Sequence, residues 1–242
     1  LDAGATENGQ PFFVMEYVEG VPLNDYCNDN KLGIRERLNL FIKVCEGVQH
    51  AHQKAIIHRD LKPGNVLVTT VDGLPVPKII DFGVAKVIDD GMFDTTGQTG
   101  VGQLVGTPEY MSPEQANFDN AGVDTTTDVY ALGVLLYELL VGDLPFSTTE
   151  LKKLGFKEVL RIIREVEPPK PSTRLKTLPS AGKTSITTVA LERSTPADGL
   201  RRSLRGDLDW ITMKALEKEK ERRYQTANAL AMDIRRHLGF EP

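Results

Sequence analysis

The sequence predicts an α+β fold in which a short N-terminal β-hairpin precedes a mostly helical body. Two strand-like runs flank Asn8-Gly9, a dipeptide that favours the positive φ angles of hairpin turns. A helix with one face in the core is indicated by apolar residues at helical spacing: Leu38, Phe41, Ile42, Cys45 and Val48. The stretch 129–142 is apolar on nearly every face, which predicts a helix at the centre of the body.

A polar loop and a second hairpin follow the first long helix. The run HRDLKPGN, residues 58–65, lies between apolar, strand-like residues, an arrangement that presents catalytic side chains on a rigid frame. Two short strands joined by Asp72-Gly73 then return the chain, so 58–65 and 81–83 are predicted to be neighbours. Residues 89–107 are rich in Gly and Thr and lack periodicity, which predicts a mobile loop.

The later chain is predicted to be helical. The Thr-Thr-Thr-Asp run at 125–128 offers N-caps for the central helix, which Gly142 and Pro145 should end. Apolar periodicity predicts further amphipathic helices over 151–166, 207–218 and 227–238.

Residues 170–206 have a different composition. They carry eight Lys or Arg against two Asp or Glu, with many Ser, Thr and Pro. Such a segment lacks the apolar surface for a core of its own, so we predict a basic, solvated insert. Docking of an acidic partner and self-phosphorylation are the less favoured interpretations.

Composition excludes several classes of protein. The chain has 242 residues, of which 40% are hydrophobic, so it can bury a core, while its net charge of −5 gives no general reason to expect nucleic-acid binding. Cys27 and Cys45 lack metal-site spacing, and a reduced, cytoplasmic setting is expected. No membrane segment is predicted, because the apolar run 129–142 contains Glu138 and is shorter than the roughly 20 residues of a span. Membrane anchoring of a longer parent protein stays open.

Four motifs occur in an ordered series, and together they are highly specific. HRDLKPGN matches H-R-D-L-x-x-x-N in full, and it is followed by DFG at 81–83, GTPEYMSPE at 106–114 and DVYALG at 128–133. This set resembles the protein kinase superfamily, and in particular the bacterial, eukaryotic-like Ser/Thr protein kinases. Lys62, two residues after Asp60, resembles the Ser/Thr-specific branch.

The resemblance implies a protein-kinase-like fold that covers the hinge and the C-terminal lobe. Residues 1–18 would be a remnant of the N-lobe, and 19–242 the C-lobe, with an activation segment at 81–114 and the basic insert at 170–206. The chain would begin at the fourth strand of the N-lobe, and it contains no G-x-G-x-x-G-x-V loop and no V-A-I-K lysine. Half of the nucleotide clamp would therefore be missing, so this chain alone is expected to be inactive.

The resemblance also implies the chemistry of the polar loop. Asp60 would accept the proton of a substrate hydroxyl, and Lys62 would lie against the γ-phosphate of ATP. Asn65 and Asp81 would bind Mg²⁺, since hard oxygen ligands suit this ion. Thr107 resembles the threonine with which the family contacts its catalytic loop. Gly83 would let the chain leave the site.

Adenine contacts follow from the same resemblance. Met15 would be the gatekeeper, Glu16 and Val18 would bond adenine through their backbone, and Leu67 would form part of its floor. Plain core packing remains an alternative for Met15 and Leu67.

Regulation is implied at Arg59, which in the family captures a phosphate on the activation loop. Thr99 is the favoured acceptor by its spacing to Thr107, and Thr95 and Thr96 are the others. A phosphothreonine would add about −1.5 to −2 charge and could order the loop through arginine.

Other matches are structural. Glu114 would pair with Arg223, and Asp128 would brace the backbone of the catalytic loop. His58 and Phe82 would stack as part of the family's regulatory spine. The His50 and His52 pair lacks a third ligand with suitable spacing, so surface or packing roles are preferred to metal binding.

The leading interpretation is a Ser/Thr protein kinase that transfers the ATP γ-phosphate to protein hydroxyls in signalling, with self-association for trans-autophosphorylation as a further option. Two alternatives stay open. One is a catalytically inert scaffold or pseudokinase, and the other is a small-molecule phosphotransferase of the aminoglycoside-kinase type. Lys62 and the GTPEYMSPE segment argue against the second.

Overall fold

The structure is a computed structural model that describes residues 2–6, 11–82, 108–117, 122–182 and 184–239. Its strands are β1 Asp2–Ala5, β2 Pro11–Val14, β3 Val21–Pro22, β4 Val66–Val71 and β5 Leu74–Ile79. Its helices are α1 Leu23–Asp29, α2 Ile34–Gln53, α3 Thr125–Val141, α4 Thr148–Leu151, α5 Phe156–Glu165, α6 Pro171–Thr177, α7 Ile186–Glu192, α8 Ala197–Leu204, α9 Asp207–Ala215 and α10 Ala227–Gly239. The predicted α+β class, a small amount of sheet beside a mostly helical body, is confirmed.

The predicted N-terminal hairpin is present. β1 and β2 pair antiparallel from Asp2 opposite Val14 to Ala5 opposite Pro11, while the Asn8-Gly9 turn lies outside the described residues. This two-stranded sheet has no further strand beside it among the described residues. Phe12 and Val14 are 44% and 54% exposed, so the hairpin buries little apolar surface.

The second hairpin carries the catalytic loop back into the body. β4 pairs with both β3 and β5 in an antiparallel sheet of order β3-β4-β5. The turn residues Asp72 and Gly73 have φ angles of 51° and 77°, as the two central positions of a hairpin turn with the twist of its strands require. The prediction from Asp72-Gly73 is therefore correct.

α3 forms the centre of the main core. Its residues from Val129 to Leu140 are buried except Glu138, and the stripe of α2 that was predicted from periodicity packs in the same cluster. Gly142 ends α3 in the left-handed conformation, with φ 73°, as predicted. The cap is one residue earlier than predicted, because Asp124 accepts the Thr126 N–H at 2.8 Å and 125–128 form the first turn.

The amphipathic helices occur with shorter bounds than the periodicity predicted. α9 and α10 lie where they were expected, although α9 ends at Ala215. The helix predicted over 151–166 is wrong at its start, since α4 ends at Leu151 and α5 begins only after Gly155. Glycine is unfavourable inside a helix, which favours a break at this position.

The prediction of a solvated insert at 170–206 is wrong. The segment folds into α6, α7 and α8, and it buries Leu175, Val189, Leu200 and Leu204 in the main core. Its composition is too polar for a separate core, but its few leucines and valines lie on helix faces that reach an existing one. Arg193, counted as a solvated charge, is 1% exposed.

Over the part of the chain that the structure covers, none of the helices has the length and apolar character needed to cross a bilayer.

Candidate active site

The catalytic loop, residues 58–65, connects α2 to β4 and is fixed by α3. Asp128, in the first turn of α3 and 1% exposed, accepts the backbone N–H groups of His58 and Arg59, each at 2.8 Å. Arg59 has φ 65°, a left-handed conformation that a non-glycine residue adopts at a cost. The two hydrogen bonds hold that conformation, so the contact expected between Asp128 and the loop backbone is present.

His52 completes this anchor, and its contact could not be found from the sequence. Its Nε2 lies 2.7 Å from Oδ2 of Asp128, and the two side chains are 4% and 1% exposed. The buried carboxylate therefore has three hydrogen-bond partners. The HxH pattern marked His52 as a residue of interest, but nothing local pointed to a partner 76 positions away.

Three of the predicted catalytic residues meet in one cluster. Lys62 Nζ donates to Oδ2 of Asp60 at 2.7 Å, and Asn65 Nδ2 donates to the Asp60 carbonyl at 2.8 Å and to its Oδ2 at 3.2 Å. The side chains of Lys62 and Asp60 remain 30% and 28% exposed, so the Asp60 carboxylate is accessible from solvent. Asn65 is 6% exposed and rigidly held.

Asp81 lies near Asn65, two residues after the end of β5. The Ile80 N–H donates to the Asn65 carbonyl at 3.0 Å, which fixes the end of the second hairpin against the catalytic loop. Asp81 follows with φ 56° and an exposed side chain. The predicted neighbourhood of 58–65 and 81–83 is confirmed for 81 and 82, and Gly83 lies outside the described residues.

His58 joins the loop to Phe82. Its Nε2 lies 2.9 Å from the Ile80 carbonyl, and its Nδ1 lies 3.3 Å from the Asp60 N–H, a pattern that requires a neutral ring with the proton on Nε2. Burial lowers the pKa of His58, in agreement with this tautomer. The ring contacts Phe82 at a centroid distance of 4.8 Å, tilted by 48° rather than stacked in parallel.

Residues 108–117, here called the shelf, lie beside the loop. Gln115 Nε2 donates to the Arg59 carbonyl at 2.8 Å. Glu114 receives Nη1 and Nη2 of Arg223, each at 2.7 Å, and also the Thr127 hydroxyl. The predicted Glu114 and Arg223 pair is thus present. Burial acts to raise the pKa of Glu114, but the hydrogen bonds and charge of Arg223 outweigh it and hold this pKa below its usual value.

The shelf also contacts the middle of α3. The Tyr110 hydroxyl donates to Oε2 of Glu138 through a short hydrogen bond. Burial raises the pKa of Glu138, although hydrogen bonds from Tyr110 and Asn24 act in the opposite direction. Glu138, which the sequence marked only as an interruption of the apolar run, is therefore a half-buried acid that holds Tyr110 against α3.

Of the residues predicted to contact adenine, Glu16 and Leu67 are both next to Lys78 of β5. Glu16 pairs with Lys78 at 2.8 Å, and Lys78 is the register partner of Leu67. Met15 is 56% exposed and Val18 and Leu67 are half-buried, so Met15 is not part of a closed core. Thr95, Thr96, Thr99 and Thr107 lie outside the described residues, and Arg59 is half-buried.

A loop of Asp60, Lys62 and Asn65 fixed on a central helix, with Asp81 beside it, is the arrangement of a protein-kinase-like fold. The chain belongs to the protein kinase domain family, whose model matches residues 4–233. Its relatives place it with the bacterial, eukaryotic-like Ser/Thr kinases, as the resemblance predicted.

Three relatives show the degree of similarity. The serine/threonine-protein kinase PknB of Mycobacterium leprae is 33% identical over 246 residues, which cover 100% of this chain and 33% of that protein. PknB of Mycobacterium tuberculosis is 34% identical, over 96% of this chain and 31% of that protein, and Pkn1 of Myxococcus xanthus is 32% identical, over 95% and 28%. The chain thus spans about a third of the length of the curated relatives it matches.

Solved structures confirm the fold. The kinase domain of Mycobacterium tuberculosis PknI superposes with a TM-score of 0.59 at 21% identity, over 98% of this chain and 69% of that one.

Proposed function

We propose that the protein is a Ser/Thr protein kinase that transfers the γ-phosphoryl group of ATP to Ser or Thr hydroxyls of proteins in signal transduction. The observation that carries this proposal is the clustering of Asp60, Lys62 and Asn65 on a loop anchored by Asp128, with Asp81 near Asn65. Phosphoryl transfer depends mainly on positioning and on neutralising phosphate charge, and this arrangement suits both.

In the proposed step, Asp60 orients the substrate hydroxyl. The hydroxyl oxygen forms a bond to the γ-phosphorus as the bond to the β,γ-bridging oxygen breaks, and Asp60 accepts the proton late in the step. A positioned proton acceptor contributes about 10²–10⁴ in rate. Lys62, 2.7 Å from Asp60, is close enough to exchange this contact for one with the γ-phosphate once ATP is bound.

Asn65 and Asp81 have the right chemistry for Mg²⁺. The Nδ2 of Asn65 is used by Asp60, which leaves the amide oxygen of Asn65 as the ligand atom, and Asp81 offers an exposed carboxylate. An amide oxygen and a carboxylate are hard ligands, as Mg²⁺ prefers. The ion would supply charge neutralisation to the phosphates of ATP.

Domain roles and regulation belong to the same proposal. Residues 1–18 would form the N-lobe side and the hinge, with Met15, Glu16 and Val18 at adenine, and 19–242 the lobe that binds Mg²⁺ and protein. Arg59 would bind a phosphate on Thr99, or on Thr95 or Thr96, and Thr107 would contact the loop. In the 242 residues alone, which contain no Gly-rich loop and no V-A-I-K lysine, we expect weak binding of MgATP.

A non-catalytic scaffold is the alternative that the same experiment tests. The two candidates differ in what Asp60→Asn does in the natural protein that contains the chain. We expect loss of phosphorylation of a protein substrate, with MgATP affinity unchanged within about twofold because Asp60 contacts the hydroxyl rather than the nucleotide.

Radiolabel transfer and isothermal titration measure the two effects of Asp60→Asn. The control is Glu46→Gln, which changes an exposed carboxylate of α2 that pairs with Arg235 of α10. Transfer that survives in Asp60→Asn would reject the assignment of Asp60, and no transfer in the unaltered protein would favour the scaffold.

A further inference from the structure

A polar cleft lies next to the shelf and is not used in the proposed chemistry. It has a volume of about 460 Å³ and opens between the connection from α3 to α4 and the chain that follows α6. Asp143, Ser147 and Thr148 line one side, and Arg174 and Thr184 the other. The second side belongs to 170–206, the segment that the composition wrongly marked as solvated.

The cleft presents hydrogen-bonding atoms with little net charge. Nε and Nη2 of Arg174 both donate to Oδ2 of Asp143, at 3.0 and 2.6 Å, and the pair is about one-fifth exposed, at 20% and 21%. Nη1 of Arg174 and Oδ1 of Asp143 have no partner within the described ranges, and the same holds for the hydroxyls of Ser147, Thr148 and Thr184.

The ion pair and the hydroxyl groups together favour a neutral, hydrogen-bonding ligand. Donors and acceptors that lie side by side match the alternating N–H and C=O groups of a polypeptide and neutral polar side chains. A phosphate would meet repulsion from Asp143, and an apolar ligand would leave the ion pair unsolvated without compensation.

The cleft continues from the shelf. Asp143 lies two residues beyond the end of α3 and five residues after Glu138. Glu138 accepts the Tyr110 hydroxyl of the shelf, and the charge of Asp143 contributes to the raised pKa of Glu138, after burial. Glu138 thus has Tyr110 of the shelf as one neighbour and Asp143 of the cleft as another, which links the two surfaces.

We propose that this cleft is a second subsite for the protein substrate, which binds a neutral, hydrogen-bonding stretch such as Asn, Gln or Ser residues that flank the acceptor. The inference rests on the proposed kinase function. It makes 170–206 a part of the specificity surface.

A Thr-centred peptide library with each flanking position fixed in turn tests the subsite, with the natural protein as enzyme. We expect the unaltered protein to select Asn, Gln or Ser at one flanking position, and Arg174→Leu to lose this selection. Because Arg174→Leu breaks an ion pair, Ser147→Ala/Thr148→Val is the second variant, which leaves that pair intact. For the best long peptide, KM should rise roughly threefold to tenfold with kcat unchanged, as expected when uniform binding is removed.

The control is Arg236→Leu, which removes an arginine paired with an Asp on α10 and should change neither parameter. Unchanged selection and KM in both cleft variants would overturn the subsite. If no peptide is phosphorylated by any form, the kinase proposal fails instead, and fluorescence anisotropy of the same peptides still decides the subsite. Equal affinity of the unaltered protein and Ser147→Ala/Thr148→Val would then reject it.

Discussion

Asp128 is the residue on which the geometry of the catalytic loop depends most directly. Its carboxylate accepts the buried N–H of His58 and the part-buried N–H of Arg59, and it is the neighbour of His52. Removing it would leave these donors without partners, and each unpaired buried donor costs about 1–3 kcal/mol. The left-handed Arg59 would also lose its support.

We therefore expect Asp128→Ala to lower the free energy of unfolding by about 3 kcal/mol, measured by urea denaturation. Asp207→Ala is the matched control, since Asp207 also contacts a histidine, His237 at 3.1 Å, but its side chain is 74% exposed. Its effect should be below about 1 kcal/mol. If both variants lose the same free energy of unfolding, the buried hydrogen bonds of Asp128 contribute no more to stability than an exposed contact.

Glu114 should make the stability of the protein depend on pH. Its pKa is lowered in the folded chain, with Arg223 outweighing the effect of burial, so the folded state binds fewer protons than the unfolded state in the acid range. The stabilisation is fully present above the ordinary pKa of 4.5 and is lost as pH falls from there toward the folded value. The free energy of unfolding, measured by denaturation at each pH, should thus fall less steeply between pH 6 and pH 3 in Glu114→Gln than in the unaltered chain. An unchanged slope would contradict the lowered pKa of Glu114.

At the scale of elements, Arg193, the residue that follows α7, connects this helix to the end of α3. Arg193 donates Nε to the Leu140 carbonyl at 2.8 Å and Nη2 to those of Leu139 and Glu138 at 2.9 and 3.3 Å. These carbonyls belong to the last turn of α3. That of Glu138 also accepts the Gly142 N–H at 2.7 Å, whereas those of Leu139 and Leu140 have no backbone donor among the described residues. Burial lowers the pKa of Arg193 to about 9, which shows the cost of holding a cation there.

Replacing Arg193 by Met would remove that cost. It would also leave the Leu140 carbonyl unpaired and the Leu139 carbonyl with only the 3.5 Å contact from Nη1 of Arg37. We expect the second effect to win, with a loss of roughly 2–4 kcal/mol in the free energy of unfolding. Arg202→Met changes an exposed arginine in the adjacent helix α8 and should be nearly neutral. If Arg193→Met is as stable as the unaltered chain, the cost of burying the cation equals the stabilisation from its hydrogen bonds to the α3 carbonyls.

The elements differ in how far the sequence could predict them. The hairpin at Asp72-Gly73, the apolar stripe of α2 and the end of α3 at Gly142 depend on neighbouring residues, so local rules suffice. The docking of 170–206 depends on contacts such as Arg193 with Leu140, 53 positions apart, which composition does not contain. The same limit applies to the site: motifs placed Asp60, Asn65 and Asp81, whereas His52 and Glu138 needed the fold.

For the whole molecule, the distribution of stability should follow burial. The β1-β2 hairpin pairs four residues with four, and Phe12 and Val14 remain about half exposed. The β4-β5 hairpin is also antiparallel, but it lies against α2, with Lys43 Nζ bonded to the Pro75 carbonyl and Val66 and Val68 buried. An isolated two-stranded hairpin is marginally stable in water, whereas one that packs on a helix is supported.

Amide hydrogen exchange of the 242-residue chain measures this difference. We expect 12–14 to exchange with almost no protection, because local opening there disrupts few buried contacts. Amides in β4 and α3 should exchange only through much larger openings, since α3 lies at the centre of the main core. β4 is the internal control for strand geometry. Protection of 12–14 equal to that of β4 would mean that another surface covers Phe12 and Val14, and sedimentation velocity would show whether that surface is a second copy of the chain.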